Sequence, residues 1–347
     1  MTDVVLVLAW LVLAHFVADF VLQTGDIAAA KADRGSRALG GLLAHGLIVA
    51  LCLVPIGLAF EARGWTLVAV SAITHVLIDR AKVVLTRRAA SSALRAANAR
   101  REGPQPPDHL GRAWTAGPAA LFVADQLAHL LVAGGAWAVL LAGVAPSSGW
   151  TAAIDGALGG WDRTTVHHVV GVLVVLAALL IVNVRAASLF VSVLVRPVEA
   201  GLDGGHRWGG RAGPAIPAAT LVSAPAPGAA RRWSVRLGPL EAQVAAEAEP
   251  SVVAASATGG GDAGQVALTA RVGSTIGILE RLLICVFILT GSDVAVGFVV
   301  AAKTLARFKQ LDDREFAEYY LLGTLASVAV AIISALLARS ALGVLLG

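Results

Sequence analysis

Apolar residues run along the chain in eight blocks, at about 3–23, 39–60, 65–86, 116–143, 167–195, 274–290, 294–309 and 319–345. Most are as long as the ~18 residues that mark a membrane-crossing helix. The pattern predicts an all-α, polytopic transmembrane bundle of about eight spans. The sixth and seventh blocks are short and meet at Gly291, Ser292 and Asp293, which predicts a tight helical hairpin.

Polar residues interrupt these blocks at helical spacing. In LVLAHFVADFVLQ, residues 11–23, His15, Asp19 and Gln23 fall at i, i+4 and i+8, on one stripe of a helix. LLAH places His45 on the second span, and THVLIDRAK sets His75 and Asp79 four residues apart on the third. DQLAHLL sets Asp125 and His129 four apart on the fourth, in the reverse order. At 1.5 Å per residue, Asp19 lies roughly 6 Å below the surface at the end of its span and His15 roughly 12 Å below. His45 falls at roughly 9 Å, His75 and Asp79 at roughly 9–15 Å, and Asp125 and His129 at roughly 13–20 Å. Four helices therefore present one layer of histidine and aspartate. An ionisable group at membrane depth costs about 2.5–3.5 kcal/mol, so such residues face the bundle interior and find partners there.

Composition agrees with a membrane protein: 57% of the residues are hydrophobic and 14% charged, where soluble domains carry about 25% charged residues. The formal charge is +4, but the basic residues cluster in loops between apolar blocks, and no nucleic-acid motif accompanies them. The loop after the third span holds Arg87, Arg88, Arg95, Arg100, Arg101 and Arg112, whereas 144–166 holds Asp155, Asp162 and one Arg163. The positive-inside rule places the first of these in the cytoplasm and the second outside, with both termini outside. Cys52 and Cys285 both lie in apolar blocks and form no CxxC. The first block has neither a basic leader nor a cleavage site and reads as a retained helix.

This gives an N-terminal four-helix module at 1–145, an outer loop and fifth span at 146–196, and a C-terminal three-helix module at 273–347. Between the modules, 197–272 is rich in Ala, Pro and Gly and is expected to be a largely disordered cytoplasmic insert. Within it, RRWSVRLGPLEAQV and QVALTARV alternate enough for a small hairpin.

Imidazole nitrogens and carboxylate oxygens are ligands for zinc, iron and manganese. The candidate metal ligands are His15, His45, His75, His129 and Asp79. Asp19, Asp79 and Asp125 are the candidate catalytic acids, one of them a general base. Gln23 and Gln126, within the layer, and Lys31 and Lys82, near the cytoplasmic mouth, are candidate substrate contacts; the lysines suit an anionic headgroup, or read as interface lysines that snorkel to the surface. In the C-terminal module, Glu280 and Lys303 lie twelve and eleven residues from the hairpin tip at Ser292, at matching depth. They predict an ion pair, with Arg307 beside it. The leading expectation is a membrane-embedded, metal-dependent hydrolase acting on a lipid or lipid-linked phosphoester from the cytoplasmic side. The rivals are an ion- or proton-coupled transporter using the same layer and a structural or regulatory subunit whose polar layer only fixes packing.

HFVADFVLQ, LLAH, THVLIDRAK and DQLAHLL, in that order, resemble the bacterial membrane family DUF3307. IGILERLLI, GFVVAAKTLARF and AEYYLLGTLAS resemble the C-terminal part of its longer members. The resemblance implies a multi-pass protein of the bacterial inner membrane and implies no reaction. The paired HxxxD spacing is also distantly similar to that of helical zinc-dependent phospholipases, a likeness of ligand spacing alone.

Overall fold

The structure is a computed structural model of the 347-residue chain, and it describes residues 4–101, 116–195, 232–237, 240–245, 261–312 and 314–347. The stretches 102–115 and 196–231, with His109 and His206, lie outside the described residues.

The membrane part is all-α. Helix α1 (Val4–Val17) runs on into one π-helical turn, Ala18–Leu22. Thr24 then caps α2 (Gly25–Lys31), its hydroxyl accepting from the Ile27 amide at 3.4 Å. Helices α3 (Gly35–Cys52) and α4 (Val54–Arg101) follow, the second broken at Glu61 with φ 50° and ψ −129°. The chain doubles back so closely there that a methyl group on Gly64 would sit 2.3 Å from the Ile56 carbonyl oxygen. Next come α5 (Ala116–Leu140) and α6 (Ser148–Leu158), the latter capped by Ser147. Helix α7 (Arg163–Ile181), capped by Asp162, passes through a second π turn, Val182–Ala186, into α8 (Ala187–Leu194). The chain closes with α9 (Gly261–Leu289), α10 (Ala295–Ala306) and α11 (Arg314–Leu346).

Among the described residues, five helices are long and apolar enough to cross a membrane: Val4–Leu22, Gly35–Cys52, Gly117–Leu140, Arg163–Leu194 and Ala317–Leu346. The expected second span is shorter than 39–60. It ends at Cys52 because LCLVPIGLAF stays apolar through a turn that hydropathy alone does not mark. The expected third and sixth spans lie inside the longer, more charged α4 and α9, and the seventh is the 12-residue α10. Helices α2 and α6 form in stretches expected to be loop.

Helices α3 and α4 turn leucine and isoleucine outward and polar residues inward. On α3, Leu39, Leu43, Leu47 and Leu51 are exposed while His45 is fully buried; on α4, Ile73 and Leu77 are exposed while Ser71, His75 and Asp79 are buried. That inversion suits lipid outside and a polar interior. Above the polar layer, Leu11, Val49, Leu53, Ile56, Phe60, Leu67 and Leu141 close an apolar core. A second core packs Val175 and Leu179 against Ile284, Ile288 and the small residues Ala331 and Ala335, which let α11 approach closely.

Residues 207–272 form a separate compact unit. It holds an antiparallel hairpin, β1 (Arg232–Leu237) with β2 (Leu240–Ala245), in the register Arg232↔Ala245 to Leu237↔Leu240. QVALTARV is helical, as part of α9, rather than extended.

Candidate metal centre

The i, i+4 spacing on three helices and the depth of His45 bring four histidines and three aspartates to one place. His15 and Asp19 come from α1 and its π turn, His45 from α3, His75 and Asp79 from α4, and Asp125 and His129 from α5. All seven side chains are nine-tenths or more buried. Ring centroids are 3.9 Å apart for His75 and His129, 4.9 Å for His45 and His75, and 5.0 Å for His15 and His129.

At the centre, three ligand-type atoms form a closed triangle. His45 Nε2 is 2.9 Å from His75 Nε2, and each lies 3.1 Å from Asp19 Oδ1. Two nitrogens bring at most two protons to these three edges, and an ionised carboxylate brings none. If both nitrogens donate to Asp19, two N–H groups confront each other across 2.9 Å. If one is unprotonated, a lone pair faces the carboxylate. No placement of protons satisfies all three edges, whereas one cation bound by all three atoms does.

The surrounding residues set the other imidazoles. The Asp125 carbonyl oxygen lies 2.8 Å from His129 Nδ1 and takes its proton, which leaves Nε2 as a lone pair. Gln126 Nε2 donates to Asp125 Oδ2 at 3.0 Å and to Asp19 Oδ2 at 3.4 Å. Its Oε1 therefore accepts from His15 Nε2 at 3.2 Å, and His15 Nδ1 becomes the lone pair. His15 Nδ1, His45 Nδ1, His129 Nε2 and Asp125 Oδ1 are buried with no hydrogen-bond partner. Such orphans are rare in native interiors and ask for an explanation. Three groups have ligand atoms close enough to share an ion: Asp19 with His45 and His75; Asp19 with Asp125 and His129; and His15 with His75 and His129. The buried His and Asp groups could thus hold a metal ion.

The lysines are members of the network rather than free groups at its mouth. Lys31 is buried and donates to Asp79 Oδ2 and Gln23 Oε1. It reaches them because α2 lies directly on α3: a methyl group on Gly41 would meet Ala30 Cβ at 2.7 Å and the Lys31 amide nitrogen at 2.8 Å. Lys82 Nζ donates to Asp125 Oδ2 at 2.7 Å with its side chain 34% exposed, and lies 5.5 Å from the centre of the Phe122 ring. Phe20 and Phe190 flank that ring at 6.4 and 6.2 Å. On the apolar side, a cavity of about 30 Å³, room for about one water, is lined by His15, His75, His129 and Ser71, whose hydroxyl has no partner.

Away from this centre, Lys303 Nζ contacts Glu280, while Arg307 donates to Gln310 Oε1 at 2.9 Å. A second buried polar knot lies around Arg281. Arg281 Nε donates to the Asn183 carbonyl at 2.7 Å, Nη2 to Ser188 Oγ at 2.6 Å and Nη1 to Ser327 Oγ at 3.0 Å. Asn183 Nδ2 in turn donates to Leu179 O and Ser334 Oγ. An asparagine inside VLAALLIVNVRAA is the signal that marks this knot in the sequence.

Residues 7–143 match a family model described as a protein of unknown function, DUF3307. All seven residues of the centre fall inside the match, and the Arg281 knot falls outside it. No curated protein and no solved structure matches the chain.

Proposed function

We propose, from the premise that residues 7–143 belong to the DUF3307 family, that this chain is an integral membrane, metal-dependent hydrolase. Its substrate is a lipid or lipid-linked phosphoester, approached from the cytoplasmic side of the bacterial inner membrane. Both termini lie outside, in keeping with the basic loops. The observation that carries the reading is the triangle of His45 Nε2, His75 Nε2 and Asp19 Oδ1, whose edges a cation satisfies and protons do not. The triangle's imidazole and carboxylate donors suit zinc, iron or manganese. A divalent ion there would supply Lewis acidity and water activation at neutral pH.

The protein's own groups have the remaining roles. Asp79 and Asp125 lie outside the triangle and are the carboxylates available to accept a proton. Lys31 and Lys82 hold them in place and supply positive charge toward a phosphate. Lys82, the partly open member, sits beside Phe122 and Phe20, a setting that suits a charged headgroup above an acyl chain.

The test is phosphate or headgroup release from synthetic lipid phosphomonoesters and phosphodiesters in mixed micelles, using detergent-purified protein loaded with Mn²⁺ or Fe²⁺. Release that His75→Ala abolishes while leaving the elution profile unchanged supports the reading. A wild type that retains no metal after loading, or that holds metal and releases neither phosphate nor headgroup, overturns it. One observation favours the transporter alternative: the first helix leaves α geometry over Ala18–Leu22, the turn that carries Asp19, and interrupted helices are found at transport sites. Ion or proton flux in proteoliposomes without bond cleavage would decide for it.

A further inference from the structure

The centre has more ligands than one ion can use. An ion at Asp19, His45 and His75 leaves His15 Nδ1, His129 Nε2 and Asp125 Oδ1, three buried acceptors without a hydrogen-bond donor. These three are not scattered. His15 and His129 stack at 5.0 Å, Asp125 and His129 share one helical face, and His15 Nδ1 lies 3.9 Å from Asp19 Oδ1. Asp19, Asp125 and His129 also bring their ligand atoms together as a second group, which shares only Asp19 with the first.

We infer that the bundle holds two divalent first-row metal ions, with Asp19 as the carboxylate between them. The first ion takes Asp19, His45 and His75; the second takes Asp19, Asp125 and His129, with His15 completing its set. The inference rests on the proposed metal-dependent function and changes one role in it. Asp125 becomes a ligand, which leaves Asp79 as the proton acceptor.

The surroundings are arranged in the same twofold manner. The carboxylate next to the first ion, Asp79, is held by Lys31, and the carboxylate of the second, Asp125, is held by Lys82. Gln126 donates to both Asp19 Oδ2 and Asp125 Oδ2, so it ties the shared ligand to a ligand of the second ion alone. It also fixes the His15 tautomer that frees Nδ1. The small cavity lies over His15, His75 and His129, where a water molecule could reach the histidines of both ions.

Charge points to the substrate class. Three aspartates against two lysines and two divalent ions leave a net +3. In a low-dielectric interior that excess asks for anions. A hydroxide and a phosphate monoester dianion bring the sum to zero, and two ions clamping one phosphoryl group is an established use of such a pair. The substrate end is therefore a phosphate monoester rather than a diester.

The experiment is metal counting on the full-length, detergent-purified protein after loading with Mn²⁺ and gel filtration. Elemental mass spectrometry gives the count, and electron paramagnetic resonance reports on coupling. Wild type is expected to hold two Mn²⁺ per chain with an exchange-coupled spectrum. His45→Ala and His129→Ala are each expected to hold one, with the six-line spectrum of an isolated ion. His45→Gln and His129→Gln, of similar volume, repeat the comparison if an alanine variant elutes as aggregate. One Mn²⁺ in wild type, lost in His45→Ala and kept in His129→Ala, overturns the second ion and leaves the mononuclear reading standing. No Mn²⁺ in wild type overturns both. Inorganic phosphate, added as probe, is expected to alter the coupled spectrum of wild type and not the spectra of the single-site variants.

Discussion

Two buried polar clusters share this bundle, and they are built on opposite rules. Around Arg281, three guanidinium nitrogens meet a backbone carbonyl and two hydroxyls, and the carbonyl comes from Asn183 in the π turn Val182–Ala186. The knot leaves one acceptor over, Asn183 Oδ1. Around Asp19, acceptors outnumber donors, and four buried ring or carboxylate atoms have no hydrogen-bond partner. A cluster made for packing satisfies its groups internally, because each buried orphan costs about 1–3 kcal/mol. A cluster whose unpaired atoms lie close to one another has ligand atoms to offer an ion, in keeping with the proposed metal centre. The Arg281 knot, closed on its own groups, is in keeping with interhelical glue.

The comparison breaks most sharply at Asp19. Asp19→Asn keeps the volume and removes the charge, and it is expected to weaken Mn²⁺ binding by more than about 100-fold with no loss of thermal stability in chelator. Competition with a fluorescent chelator measures the first effect and a melting curve the second. Loss of stability in place of metal would make the Asp19 cluster glue as well. Next in size is Lys31→Met. It strands Asp79 as a buried carboxylate, and a broken buried pair costs about 3–5 kcal/mol. Unfolding should be earlier in the chelated protein and largely restored by metal.

Arg281→Ala is expected to do the reverse: about 2–3 kcal/mol of lost stability from stranded acceptors, with metal content unchanged. A drop in metal content would mean that the two clusters are coupled. The smallest effect belongs to Lys82→Met. Its side chain is 34% exposed and screened by solvent, and the buried Asp125 keeps the Gln126 donor, so the loss of stability is expected to be smaller than for Arg281→Ala. The predicted phenotype is a higher KM for an anionic lipid with a small fall in melting temperature.

The site was legible in the sequence because helical spacing is rigid. HxxxD and DxxxH fix two side chains on one face, and depth along a span fixes the layer, so His15, His45, His75 and His129 were placed without any knowledge of packing. What spacing does not carry is the protonation pattern. The lone pairs of His15 and His129 depend on Gln126 and on a backbone carbonyl, contacts that exist only once the helices are assembled. Lys31 was hidden for a related reason. It reads as an interface lysine, and only the close approach of α2 at Gly41 brings it against Asp79. The end of α3 and the break inside α4 were illegible because the chain turns within a mostly apolar stretch, where Glu61 and Arg63 are the only charged residues near the break.

The wide turn at Ala18–Leu22 has a consequence for how this protein tolerates changes of length. A π turn is what an α-helix becomes when it accommodates one residue more than its hydrogen-bond ladder was laid out for. Removing one residue there, Val21 for instance, would let the helix close into regular α geometry while Gln23 and Lys31, beyond the turn, keep their facing toward Asp79. The same deletion in the regular part of the span has no slack to take up and would rotate one side against the other by about 100°. A library of single-codon deletions across the first fifty positions should therefore show tolerance at the exposed Val21 and Leu22 and intolerance in the helix before them. The slack stored in that segment sets where the chain can shorten without taking its ligands apart.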